Sequence, residues 1–108
     1  MVAYAERALE ALGDPTRRQV FKRLRGRALS VGEIAAGMAV SRPAVSQHLK
    51  VLKKARLVVG RPEGTRRVYA VDPRGVEALR TWLDRFWDET LAAFKEAVER
   101  EAAKGRTP

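Results

Sequence analysis

The twelve residues Ser41-Arg42-Pro43-Ala44-Val45-Ser46-Gln47-His48-Leu49-Lys50-Val51-Leu52 hold the side chains of this chain best suited to specific chemistry. Gln47 carries an amide that pairs bidentately with adenine N6/N7, and Arg42 a guanidinium fork that matches guanine O6/N7. Ser46 suits a base edge or a phosphate, and Pro43 and Ala44 are small apolar surfaces that fit thymine methyls. Lys50 and Lys54 are candidates for phosphate contact, with Lys53 as a solvated neighbour. A second group, Arg61, Thr65, Arg66 and Arg67, suits phosphates or a minor groove, with Arg61 and Arg66 the favoured pair and Tyr69 a further hydrogen-bonding group. Strand alternation sends Arg66 and Arg67 to opposite faces, so one of them is free to brace the hairpin instead. Arg17 and Arg18 stand near a helix N-terminus, itself an anion site. His48, the one histidine, lies about 60° from the apolar stripe of its helix. It reads first as a satisfied, partly buried side chain, and second as a DNA contact.

Other chemistries lack their parts. The chain of 108 residues has no cysteine, which excludes disulfides, thiolate nucleophiles and thiolate zinc sites. No nucleophile–base–orienter set and no glycine-rich phosphate loop can be assembled, so an enzyme is not expected. No cofactor or metal is expected either. No apolar run approaches the roughly 18 residues of a membrane span, and the N-terminus lacks a signal-peptide pattern. A cytoplasmic, nucleoid-associated protein of a bacterium or archaeon is the expectation.

Charge supports a polyanionic partner. The net charge of +9 is segregated: residues 15–27 carry +6 and residues 41–74 carry +7, while the flanks 1–14 and 75–108 sum to −2 and −1. A solubility device would spread charge evenly, whereas blocks of one sign read as a binding footprint. Solvated helix faces are the plainer alternative.

The elements that must position these groups follow from periodicity and punctuation. Residues 3–12 read as a short helix with Ala3, Leu9 and Leu12 toward one side. Asp14-Pro15 is a cap followed by a proline at the first helical position, opening a helix to about Arg25 with Val20, Phe21 and Leu24 on one stripe. Ser30-Val31-Gly32-Glu33 matches a capping box at the head of a short third helix that Gly37 ends. Ser41 caps a fourth helix to about Ala55, with Val45, Leu49 and Leu52 on one buried stripe, Pro43, Gln47, Lys50 and Lys54 opposite, and Ser46 beside them. Leu57-Val58-Val59 and Val68-Tyr69-Ala70-Val71 read as a hairpin around the turn Pro62-Glu63-Gly64-Thr65. Asp72-Pro73 starts a long helix to about Ala103, and residues 104–108 are expected to fray. A hairpin directly after a helix-turn-helix is a wing. The fold class is therefore mainly α with a small β-hairpin, a winged helix-turn-helix of order α-α-α-α-β-β-α. One domain spans residues 1–108, with the helix-turn-helix at 31–55 and the wing at 57–71.

These segments resemble the ArsR/SmtB family of bacterial winged-helix repressors. Leu12-Gly13-Asp14-Pro15-Thr16-Arg17-Arg18 is similar to the family's opening of its second helix, and residues 41–52 to its recognition helix. Leu57-Val58 with Gly60-Arg61, and Gly64-Thr65-Arg66-Arg67-Val68-Tyr69, are similar to its strand and wing. The resemblance covers about residues 5–72. It implies a homodimer on double-stranded DNA, binding an inverted repeat in its own promoter and repressing it. Residues 1–12 and 73–103 would dimerise, through Leu9, Leu83, Phe86, Trp87, Leu91 and Phe94. Family members often sense metals through cysteines near the third helix or Asp/His clusters on the last. Here Ser30 to Val40 holds no Cys or His, and the last helix offers Asp84, Asp88, Glu89 and Glu96 without a histidine. The sequence is therefore similar to members with an aromatic-rich last helix (Trp82, Phe86, Trp87) and no metal site. A small-molecule effector, for example beneath Trp82 and Trp87, is left open, as is a non-specific architectural DNA-binding role.

Overall fold

The computed structural model describes residues 2–105, with side chains from Tyr4 to Gly105. Ala3's side chain and residues 106–108 lie outside the described residues, whereas Lys104 and Gly105, expected to fray, continue the last helix. The order is α1 (Val2–Ala11), α2 (Pro15–Arg23), β1 (Leu29–Ser30), α3 (Val31–Ala36), α4 (Arg42–Lys54), β2 (Val58–Glu63), β3 (Arg66–Val71) and α5 (Pro73–Gly105).

Each helix start has a local chemical cause. The Asp14 carboxylate accepts from the Arg17 backbone N–H at 2.9 Å, with Pro15 opening α2. Ser30 and Glu33 form both halves of the capping box: the Glu33 N–H donates to Ser30 Oγ at 3.2 Å, and the Ser30 N–H to Glu33 Oε1 at 2.9 Å. Ser41 Oγ accepts from the Ala44 N–H at 3.3 Å at the head of α4. Helix α2 stops at Arg23, two residues before the expected Arg25, with Leu24 as its C-cap.

The sheet is larger than a hairpin. Three antiparallel strands run in the order β1-β3-β2, with Leu29 opposite Tyr69 and Ser30 opposite Val68. A strand of two residues carries no periodicity of its own, and only its distant partner β3 makes it one. The hairpin strands are also longer than expected. Pro62 and Glu63 belong to β2, which is an edge strand and tolerates the missing proline N–H. The turn shrinks to Gly64-Thr65, with φ +64° at Gly64 alone, the II′ pattern that suits a two-residue hairpin.

The core gathers Val20 and Leu24 of α2, Leu29, Ile34 of α3, Val45, Leu49 and Leu52 of α4, and Leu57 and Val58. Helix α1 joins it through Ala5, Ala8 and Ala11, whose small side chains let the helix lie close, while Leu9 faces outward. Helix α5 leaves the body. Val76 and Leu79 pack against the core, but every residue from Leu83 to Gly105 is exposed. At 1.5 Å per residue its 33 residues reach about 50 Å. The molecule measures 77 Å along its longest axis and has a radius of gyration of 19.9 Å, against about 13 Å for a compact chain of this size.

Candidate nucleic-acid interface

Burial of one stripe fixes which side of α4 meets solvent. With Val45, Leu49 and Leu52 at 1% exposure or less, a side chain two positions away is turned about 200° from the core. Pro43, Gln47, Lys50 and Lys54 are accordingly exposed, Ser46 is exposed beside them, and Ala44 and His48 are half-buried. The side chains of Ser46, Gln47, Lys50 and Lys54 have no hydrogen-bond or ion-pair partner among the described residues, so their donors and acceptors are open to an external ligand.

Two of the expected contacts are turned back onto the protein. The Arg42 guanidinium lies across the start of α3, where a Cβ added to Gly32 would come within 3.0 Å of Nη2. His48 Nδ1 sits 3.9 Å from Asp14 Oδ2, so the half-buried histidine faces the N-cap of α2.

Arg17 and Arg18 close the end of α1. Arg17 donates through Nε to the Ala11 carbonyl oxygen and through Nη2 to that of Glu10 at 3.3 Å, and Arg18 Nη1 to that of Leu12 at 2.7 Å. Carbonyls at a helix C-terminus have no intrahelical donor, and cations there also meet the negative end of the macrodipole.

The wing divides its arginines as strand alternation requires. Arg67 lies with Tyr69 over Gly60, on one face of the hairpin. Arg66 lies on the other, where Nη1 donates to Glu33 Oε1 at 3.1 Å and Nη2 to Glu63 Oε1 at 3.3 Å. Of the favoured pair, Arg61 is exposed and its guanidinium has no partner among the described residues, while Arg66 is held. Thr65 stands exposed in the turn.

Across residues 15–71 the only acidic side chains are Glu33 and Glu63, and both hold Arg66. The rest of this surface is cationic or neutral. The Ser30 backbone N–H and hydroxyl, with the charges of Arg66 and Arg27 added, hold the Glu33 carboxyl below the usual carboxylate range. Sequence reasoning identified Glu33 as a helix cap but missed its reach to the wing, because a contact across 33 residues has no local signal. It also missed Arg23, which lies over Gly37 and donates through Nη2 to the Glu33 carbonyl oxygen at 3.0 Å, tying α2 to α3.

A family model for a helix-turn-helix domain matches residues 12–61. The chain is similar to the HTH-type transcriptional regulator Rv2034 of Mycobacterium tuberculosis, 57% identical over 96 residues that cover 89% of this chain and 90% of that one. It is similar to the transcriptional repressor SdpR of Bacillus subtilis, 30% identical over 71% of this chain and 86% of that one. Among solved structures it resembles the homodimeric winged helix-turn-helix DNA-binding domain of a possible ArsR-family regulator from Mycobacterium bovis. That likeness has a TM-score of 0.66 at 29% identity, over 83% of each chain.

Proposed function

The chain belongs to the ArsR/SmtB family of winged helix-turn-helix transcriptional regulators, and from that premise we propose that it is a sequence-specific, autoregulatory repressor binding an inverted-repeat operator as a homodimer. The observation that carries this reading is the open row Ser46, Gln47 and Lys50 on a helix whose rotation the core locks. Gln47 reads adenine in the major groove, Ser46 bonds a base or phosphate beside it, and Pro43 supplies an apolar edge with half-buried Ala44. Arg42 reaches a guanine by swinging off Gly32. Lys50, Lys54, Arg61 and Arg67 neutralise phosphates, helped by Thr65 and by whichever N–H groups of Arg17, Arg18 and His48 face the duplex.

Dimerisation through α1 and α5 is supported by the exposed stripe Leu83, Phe86, Trp87, Leu91 and Phe94, with Leu9 on the neighbouring helix. An apolar surface of that extent on a monomer is an aggregation liability, and a second copy covers it. Repression is supported by the B. subtilis relative, whose name states that activity. Sensing by a thiolate-bound metal has no support in a chain without cysteine, whose one histidine faces Asp14.

Binding selection on the region upstream of its own gene, with footprinting, tests the proposal. The expected result is protection of two half-sites about 34 Å apart, one helical turn of DNA. Equal affinity for that region and for scrambled duplex would instead favour an architectural DNA-binding protein, the reading that the charge alone also supports.

A further inference from the structure

We infer that Glu33 is a positioning residue for DNA binding, one that holds the wing at a set distance from the recognition helix by anchoring Arg66. The inference rests on the DNA-binding reading above, but its geometry is independent of it. All residues from Arg61 to Arg67 are exposed, so no core packing holds the outer half of the wing. Backbone pairing to the body ends at Ser30 opposite Val68. One step further out, Arg66 Nη1 reaches Glu33 Oε1 at 3.1 Å. Among the described residues this is the one side-chain hydrogen bond or ion pair that joins the outer wing to the rest of the fold.

The anchor is built to be stiff. An exposed ion pair between two free side chains contributes little, because both must surrender rotamer freedom. Glu33 has already surrendered its own, since the same Oε1 accepts from the Ser30 N–H at 2.9 Å in the capping box. Arg66 is pinned from its other nitrogen by Glu63, at 3.3 Å across the turn. Carboxylates on a surface that faces a polyanion oppose binding electrostatically, and this basic stretch carries two, both on the same arginine. Holding the wing explains their presence. Arg61 and Arg67, on the strands that flank the turn, are then delivered to the duplex in one arrangement rather than many.

Glu33→Gln keeps the cap, because the amide oxygen still accepts from Ser30, and weakens the anchor by removing the negative charge that faces Arg66. Ser30→Ala is the converse: it weakens the cap and leaves Glu33 charged. Two measurements on the full-length variants decide the matter, amide exchange of residues 61–67 and the salt dependence of binding to a labelled duplex of its upstream region. In Glu33→Gln, and not in Ser30→Ala, wing amides are expected to exchange at least about threefold faster relative to the core. Duplex affinity should fall about three- to tenfold, with a salt slope shallower by about one. Removing an anion should by itself tighten binding to DNA, so a loss of affinity is a sign that only positioning predicts. Unchanged wing exchange, equal or tighter binding by Glu33→Gln, or the same wing effect in Ser30→Ala would each overturn the inference. A wild-type protein that ignores the duplex at every salt concentration would overturn the DNA-binding reading instead, and the positioning role with it.

Discussion

The carbonyl oxygen of Arg56 lies so close to Gly75 that a Cβ added there would collide with it. The first turn of α5 therefore docks directly on the backbone that leaves α4. The Asp72 N–H donates to the Leu57 carbonyl oxygen at 2.8 Å and secures the same junction. This contact sets the direction in which the long helix leaves the DNA-binding body.

Gly75→Ala should destabilise the fold by about 3 kcal/mol, the upper end of an overpacked site, because the neighbour is backbone and cannot rotate away. For a domain of this size that lowers the melting temperature by at least about 10 °C. Thermal unfolding followed by circular dichroism checks it, and a shift under about 2 °C would contradict the docking geometry.

Arg56 adopts φ +59°, the left-handed conformation that favours glycine after a helix, and its guanidinium sits 4.2 Å from the centroid of the Tyr4 ring. Arg56→Gly relieves about 1 kcal/mol of backbone strain and loses a cation–π contact of about 0.5–1 kcal/mol. The net change in wild type should be within about 0.5 kcal/mol. In a Tyr4→Leu background the same substitution should stabilise outright, a difference that a double-mutant cycle by denaturant titration reads directly.

Asp72 is 4% exposed and accepts from the Arg74 guanidinium, with Nη2 at 2.9 Å, and from the Arg74 N–H at 3.0 Å. Those guanidinium hydrogen bonds hold its carboxyl below the usual range despite burial. A folded-state value depressed below the unfolded one of about 3.9 stabilises fully above that value and ceases to do so as pH falls through the folded one. Stability of the wild type should hence drop more steeply below about pH 4 than that of Asp72→Asn, which retains the cap but not the charge. Glu33 acts in the same direction, so part of the acid sensitivity remains in the variant. Parallel curves between pH 2 and 6 would refute the assignment.

Trp87 is 59% exposed and Leu91 47%, so neither contributes to the core of a single chain. Trp87→Glu with Leu91→Glu should convert a dimer to a monomer in size-exclusion with light scattering, leaving the circular dichroism of the folded body intact. Operator affinity should fall at least about 100-fold, since the second half-site no longer adds to the first. A variant that remains dimeric would place the interface elsewhere.

The elements with strong local chemistry were legible in advance. Asp14-Pro15, Ser30 with Glu33, and Ser41 announce helix starts because a capping side chain acts within three residues of itself. The stripe Val45, Leu49 and Leu52 likewise announces the rotation of α4, and with it the exposure of Gln47. Strand β1 was not legible, since two residues have no period and pair only with β3, far along the chain. The alanine face that α1 buries was not legible for a related reason. Its alanines are buried by α4 and α5 rather than by their own hydrophobicity, and Leu9 is left outside.

Capping, periodicity and charge are properties of neighbouring residues, so the fold class, the cationic stretch 15–74 and the exposed face of α4 are all written locally in the chain. Only the tertiary structure decided how the cations are divided. Arg17 and Arg18 close the end of α1, Arg42 rests across Gly32, Arg66 is clamped by Glu33 and Glu63, and Gln47, Lys50, Lys54 and Arg61 stay open. An arginine's role depends on which carbonyl or carboxylate lies within about 3 Å of it, and that neighbour is chosen by packing between elements remote in the chain.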